Sequence, residues 1–341
     1  MGKGMARNTR RSKGLKKLPP APMTLTFEMG GGGTSYIDLS LAASIMNRRF
    51  YRQGMNWAVA GMTVYASGEN KTVRISTLQK NWCTFNAWKK GFDLWKQMNA
   101  QVLDTDEGVQ GKYADFKIFL DRTHMNNYAD HGEQDSLTDT AGRTLLPIVC
   151  VSSTGASELP DNTNREWNYS EYIFPQDGGA GPAVTAGIHM NGASSLAGSP
   201  PSVGLISGYG LSRSRPNVID PNAPIFSNDS WMAQLFDVGA THEDIRENLE
   251  DENDNAPYAL RGDTSGIESY PGGEVNLTGL ELVSPPITSS AGTDYSGRTQ
   301  IPGFTAPCGL ICVKNDGVVT IQVHLVPGDY KGYMAVPMQE M

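Results

Sequence analysis

The sequence is short of cysteines, of long apolar runs and of catalytic signatures, and each shortage removes a class of protein. Four cysteines in 341 residues, at positions 83, 150, 308 and 312, include no C-x-x-C pair, and the density is low for a disulfide framework. Cys308 and Cys312 stand four apart. On a strand they share a face roughly 13 Å apart, too far for a bridge or a common metal, so buried free thiols are expected. No stretch approaches the roughly 18 apolar residues of a membrane-spanning helix. The basic start runs into Leu18-Pro19-Pro20-Ala21-Pro22 instead of an apolar core, so no secretory leader is read there. G-x-S-x-G, Walker and H-E-x-x-H patterns are missing, and Gly208-Tyr209-Gly210 stops short of a complete G-x-G-x-x-G. No enzyme, no cofactor and no metal are expected.

Acids are also missing from one place. Residues 1–27 hold Lys3, Arg7, Arg10, Arg11, Lys13, Lys16 and Lys17 and no carboxylate; the first is Glu28. The whole chain has 28 basic and 36 acidic residues, a net charge of −8. Removing those seven cations leaves 21 against 36, a net of −15. A cationic leader on an anionic body calls for a polyanionic partner for the leader. Residues 1–22 also lack aromatics and end in a proline cluster, so they read as a disordered arm reaching about 70–75 Å when extended. Seven contacts to single-stranded phosphates give a log–log salt slope near about −5. Without rings to stack on bases, such binding is blind to sequence. A solvated tail and a nuclear-import signal are the alternatives. The arm is taken as residues 1–33, with Gly30–Gly33 as a second joint after a short strand at Met23–Phe27. The body is taken as 34–341.

What is present in excess is turn and strand chemistry. There are 38 glycines, 20 prolines and 29 aromatic residues (6 Trp, 13 Tyr, 10 Phe), a mix that suits many short strands. Strands are expected at Tyr36–Leu41, Trp57–Ala66, Thr72–Leu78, Tyr113–Leu120, Leu145–Ser152, Glu166–Phe174, Val184–Met190, Val203–Gly208 and Glu274–Val283. Ala42–Arg52 reads as a short helix or turn. In Asn81–Leu103, Trp82, Phe85, Trp88, Phe92, Trp95, Met98 and Val102 recur at steps of three or four, which predicts one amphipathic helix of about 33 Å. A second helix is expected within Ser230–Glu250. Cys308–Lys314 and Val318–Val326, joined by Asn315-Asp316-Gly317, read as a hairpin, and Pro327-Gly328 turns into Tyr330–Val336. Strands do not alternate with helices, so the expected fold is mainly β: an antiparallel jelly-roll sandwich with one or two helices inserted in loops.

Other constellations carry competing readings. Asn47-Arg48-Arg49-Phe50-Tyr51-Arg52-Gln53-Gly54 pairs three cations with two aromatics; Arg48, Arg49 and Arg52 either contact nucleic acid or make a subunit contact. The Trp82–Val102 stripe is core packing. Asp251-Glu252-Asn253-Asp254-Asn255-Ala256-Pro257 resembles the calcium-binding linker of cadherins, with a solvated acidic loop as the plainer reading. Arg261-Gly262-Asp263 is the integrin tripeptide, and turn geometry explains it adequately. His124 and His131, near Asp121 and Asp130, are read as a polar loop over a metal site.

Three segments carry a family resemblance: Tyr36–Gly54 with its Asn-Arg-Arg-Phe-Tyr-Arg-Gln-Gly, the aromatic helix Asn81–Asn99, and Val323-His324-Leu325-Val326-Pro327-Gly328-Asp329-Tyr330-Lys331-Gly332-Tyr333-Met334-Ala335. With the basic arm before them, they resemble capsid proteins of small circular single-stranded DNA viruses that encode a replication initiator. The resemblance covers about a quarter of the chain. It implies a jelly-roll subunit, an icosahedral shell of identical copies, inward arms and a single-stranded DNA cargo. It also implies a location in the virion, with passage through the host nucleus. Composition admits RNA as readily as DNA. The alternative functions are an adhesion or carbohydrate-binding β-sandwich with a calcium loop, and a β-rich hydrolase whose site assembles only in the fold.

Overall fold

Alternating burial along the strands produces two cores from one sheet. The computed structural model describes residues 21–30, 32–66, 68, 71–103, 116–130, 141–150, 167–174, 184–197, 200–212, 271–273, 279–288 and 297–340. The chain runs through β1 (Thr24–Met29), β2 (Gly33–Asp38), α1 (Leu39–Asn47), β3 (Met55–Ala66), β4 (Thr72–Thr77) and α2 (Trp82–Leu103). It continues with β5 (Phe119–Asp121), α3 (Arg122–Asp130), β6 (Ala141–Thr144), β7 (Glu171–Phe174), β8 (Val184–Asn191), β9 (Ser202–Gly204) and α4 (Leu205–Leu211). The last part holds β10 (Glu281–Leu282), β11 (Ile287–Thr288), β12 (Gly297–Ile301), β13 (Phe304–Ala306), β14 (Leu310–Asn315) and β15 (Val319–Leu325). Three short strands close it, β16 (Pro327–Gly328), β17 (Gly332–Tyr333) and β18 (Ala335–Pro337).

The first sheet has the order β1-β15-β3-β12, with β13 and β18 also on β3; the second has the order β10-β4-β14-β2-β6, with β11 also on β4. Pairing is antiparallel throughout the first sheet, and β6 on β2 is the parallel pair of the second. Leu25, Phe27, Val64, Ile321 and Val323 of the first sheet meet Ile37, Val73, Ile75, Ile311 and Val313 of the second in one buried cluster. This is a β-sandwich. On the other face of the second sheet, Tyr36, Leu310 and Cys312 join Trp88 and Trp95 of α2 and Ile188 of β8 in a second cluster. Period-2 alternation thus sends neighbouring residues of β14 into different cores. The third sheet, β5-β8-β7 with β9 on β8, packs in this outer layer.

Several expectations meet their outcome here. The mainly β antiparallel sandwich is present. The aromatic helix is α2, its Asn81 Oδ1 accepting the Thr84 N–H at 2.9 Å as a cap. The short strand at Met23–Phe27 is β1, whose Leu25, Phe27 and Met29 are core residues. Among the described residues there are four α-helices instead of one or two. Asp38 ends β2 and starts α1, its Oδ1 accepting from the N–H groups of Ser40 and Leu41, which cuts the expected Tyr36–Leu41 strand short. Leu145–Ser152 is not a strand over its described residues: β6 stops at Thr144 and Ile148–Cys150 is a 3-10 turn, Pro147 having no N–H to give a ladder. Val203–Gly208 begins as β9 and then winds into α4, where Leu205 and Ile206 bury beside α2.

The expected C-terminal hairpin is absent. β14 pairs with β2 and β4, while β15 pairs with β1 and β3. The turn at Asn315-Asp316-Gly317 carries the chain from one sheet to the other, so Val313 and Val319 face the same core from opposite sides. A second irregularity is on β3. Register shifts between His324 and Leu325, whose partners are Gly61 and Val59; the extra residue lets Val59 and Met62 both point inward. The helix expected within Ser230–Glu250, the acidic run 251–257 and Arg261–Asp263 lie outside the described residues.

Candidate nucleic-acid interface

The α1–β3 connection, Asn47 to Gly54, is built outward from buried anchors. α1 ends with Arg48 at φ 47°, a left-handed cap from which Arg48 N–H reaches Ile45 O at 3.3 Å and Arg49 N–H reaches Ser44 O at 3.1 Å. Ser44 Oγ accepts the Tyr51 N–H at 2.9 Å, and the buried Tyr51 ring packs against Trp57, Tyr330 and Tyr333 at centroid distances of 5.5–6.0 Å. Gln53, fully buried, donates Nε2–H to Asp38 Oδ2 at 2.9 Å and Ile118 O at 3.0 Å, and its Oε1 accepts the Ile118 N–H at 2.6 Å. Gly54 has no side chain because one would run into the Trp88 ring. With Tyr51 and Gln53 turned in, Arg48, Arg49, Phe50 and Arg52 are turned out and exposed.

Two lysines from remote segments join them. Gln53 fixes Ile118, and that brings Lys117 alongside, its Nζ 4.5 Å from the Trp167 ring centroid and 5.5 Å from that of Phe50. Lys331, held at φ 50° between β16 and β17, donates Nζ–H to the Phe50 carbonyl and lies 5.4–6.0 Å from the Tyr51, Tyr330 and Phe50 centroids. Tyr51 Oη–H donates to Lys331 O at 3.0 Å, and the Arg52 N–H donates to Tyr330 Oη at 2.8 Å. The result is one exposed phenylalanine flanked in sequence by Arg48, Arg49 and Arg52 and approached in space by Lys331 and the buried Lys117. Asp38, the nearest buried carboxylate in sequence, faces inward on its cap and Gln53; Asp329 is exposed on the turn before Lys331. The ion pairs Lys80–Glu281 and Lys96–Asp93 lie elsewhere.

The root of the basic segment sits at the same place. Tyr333 Oη–H donates to Pro22 O at 3.0 Å, and Asn47 Nδ2–H donates to Tyr333 Oη at 2.9 Å. Burial pushes the Tyr333 phenol upward, with the Asn47 bond opposing. Leu325 N–H donates to Met23 O at 2.7 Å. Residues 1–20, with Lys3, Arg7, Arg10, Arg11, Lys13, Lys16 and Lys17, lie outside the described residues, and they are joined covalently to Ala21 beside this contact. Of the residues singled out in the sequence, the structure therefore brings Arg48, Arg49 and Arg52 together with the attachment point of the other seven. Lys117, Trp167 and Lys331 were missed. Lys331 lies in a segment already quoted, but its neighbourhood with Phe50 spans 281 positions.

His124 does not sit in a polar loop. It is fully buried in α3, stacked on Tyr36 at 4.3 Å. The Leu120 N–H donates to its Nδ1 at 3.2 Å, so Nε2 carries the proton and bonds Thr144 Oγ1 at 2.7 Å. Tyr36 Oη–H reaches both Asp121 oxygens at 2.7 and 2.9 Å. Burial lowers the His124 pKa to about 3 and raises that of Asp121. Among the described residues no group of three or more His, Cys, Asp or Glu is placed to hold a metal ion. Cys83, Cys308 and Cys312 are all buried, and Cys308 and Cys312 are free thiols.

Comparison with family models, with curated proteins and with solved structures returned no match in any of the three.

Proposed function

We propose that this protein is a viral capsid subunit: a jelly-roll body that self-assembles into a closed icosahedral shell and holds single-stranded nucleic acid against one end. The observation that carries this reading is the meeting of the Arg48–Arg52 connection with the root of the basic segment at Pro22, through Tyr333. Cations from residues 1–20 and from the body then act on one polyanion from one side. A strand bound there displaces condensed counterions, which makes binding tight at low salt and weak at high salt. The body's own three arginines supplement an arm of only seven cations. The proposed partners are copies of the chain and single-stranded DNA, with RNA acceptable on charge alone. The proposed location is the virion, with the host nucleus as the assembly site.

The test uses purified full-length protein. Negative-stain images are expected to show uniform closed particles carrying nucleic acid, and removal of residues 1–20 is expected to empty the particles while leaving the fold. The deletion stops at 20 because Ala21 and Met23 pack against the core. A monomer at every concentration that ignores single-stranded DNA and RNA at low salt refutes the proposal.

A further inference from the structure

We propose that Phe50 is a stacking platform for one unpaired base of a single-stranded nucleic acid, with Arg49, Arg52 and Lys331 on the flanking phosphates. The inference rests on the function proposed above and adds to it a contact that reads bases instead of charge. Phe50 is 45% exposed, whereas Tyr51 and Gln53 on the same connection are buried at 1% and 0%. A large apolar ring, tilted against Trp167 at 6.0 Å on one side, is thus left partly in water beside Lys331 and the exposed arginines of its own connection. It is also held still: Lys331 Nζ–H donates to its carbonyl, and the backbone on either side is fixed by the Arg49–Ser44 and Tyr51–Ser44 bonds. A ring already ordered loses little conformational freedom when a base stacks on it.

The surrounding charges select the ligand. Lys117 and Lys331 hold ammonium groups 5.5 and 6.0 Å from the Phe50 centroid. Lysine is depleted at the core of protein–protein interfaces, so an apolar anchor ringed by it is a poor protein contact and a good one for an aromatic anion. Backbone strain points to the same spot. Among the described non-glycine residues, positive φ occurs at Arg48, Cys308 and Lys331; Arg48 caps the helix that leads into the connection, and Lys331 carries a charge beside Phe50. Such conformations persist where surrounding structure enforces them, and they concentrate at ligand clamps. Residues 1–22 contain no aromatic side chain, so stacking of bases on an aromatic ring has to come from the body.

The experiment compares full-length wild type with Phe50→Ala and Phe50→Trp, using labelled oligo-dT and an abasic strand of equal length and charge. Wild type is expected to prefer oligo-dT by about fivefold or more. Phe50→Ala is expected to lose that preference with its salt slope unchanged, and Phe50→Trp to restore it. Equal wild-type affinity for the two strands, with a normal salt slope, overturns the platform and leaves the phosphate-binding function standing. A preference that survives in Phe50→Ala also overturns it. No binding of either strand at low salt overturns the function itself. The wild-type comparison needs no variant, so a substitution that disturbs folding does not blunt the test.

Discussion

At the Arg48–Arg52 end, Tyr51, Trp57, Tyr330 and Tyr333 form an aromatic base from which cationic heads face outward. Behind β2, Tyr36, Phe119 and Tyr169 enclose His124 and Asp121, whose polar atoms face inward on Thr144, Leu120 and Tyr36. Both clusters combine rings with ionisable groups. They differ in where the hydrogen bonds go. In the outer cluster backbone groups take up the Tyr51, Tyr330 and Tyr333 hydroxyls, and Arg48, Arg49 and Arg52 stay exposed. In the inner one side chains and the backbone N–H groups of Leu120 and His124 satisfy the polar atoms, and burial suppresses charge instead of presenting it. Chemical type alone thus does not mark a binding surface; the exposure of the charged groups does.

Acid breaks this contrast most strongly, because the unfolded chain takes up protons that the buried imidazoles cannot. His124 and His189 titrate at about 3 and about 4 in the fold, both lowered from 6.5 by burial. Their folded values lie below the unfolded ones, so the unfolded chain binds more protons between pH 6.5 and 4. Stability is unaffected by them above about 6.5 and falls as the pH drops. Asp121, raised by burial, works in the opposite sense and offsets part of the loss. A net decrease of about 3–5 kcal/mol between neutral pH and pH 4.5 is expected from urea unfolding. His124→Gln should make the pH dependence shallower by about one proton; an unchanged slope would show that the imidazole is not the responsible group.

The next effect tests the joint between the clusters. Gln53 ties the outer connection to Asp38 and to both backbone groups of Ile118. Gln53→Leu keeps the volume and strands those partners, and a loss of about 2–4 kcal/mol is expected. Lys117 should move with Ile118. A cost within the surface range of about 0.5 kcal/mol would mean the joint is not a structural tie.

A purely electrostatic change follows. Replacing Arg48, Arg49 and Arg52 together by Ala is expected to weaken single-stranded DNA binding about tenfold at physiological salt and to flatten the log–log slope by about 2. Stability should hold, because these side chains are exposed. If the slope stays unchanged, nucleic acid does not touch this connection and the arm works alone.

How much of this was legible in the sequence depends on how local each signal was. The α2 helix was, because Phe85, Trp88, Phe92, Trp95 and Met98 repeat on one face of a single continuous segment, although Trp82 at its start is exposed instead of joining that face. The strands β3, β4 and β8 were, through β-branched and aromatic content. Partnership was not. Asn315-Asp316-Gly317 supplies the same turn chemistry to a hairpin and to a crossing between sheets, and only the pairing of β14 with β2 decides. α1 was half legible, since Asp38 is both the end of a strand pattern and a good cap. At the site, Arg48, Arg49 and Arg52 stood out because cations and rings adjoin in sequence. Lys117, Trp167 and Lys331 did not, because each reaches Phe50 through a tertiary contact across a long stretch of chain.

The smallest effect is the most specific, because it separates the root of the arm from the arm's charge. Tyr333 Oη both donates to Pro22 O and accepts from Asn47 Nδ2, while its ring is buried against Tyr51 and Trp57. Tyr333→Phe retains the ring and removes one oxygen, so the packing stays and two hydrogen bonds go. Each is worth about 1 kcal/mol net, and Asn47 lies near solvent where water replaces part of the loss. A drop of about 1 kcal/mol in urea stability is therefore expected. Faster hydrogen exchange should appear at Met23 and Arg48, the residues on either side of the broken link, and not at β14. DNA affinity should fall only slightly, since every cation is retained. A large loss of affinity with unchanged exchange would mean that the tyrosine hydroxyl itself touches the nucleic acid, and the link between arm root and arginine connection would then be incidental to binding.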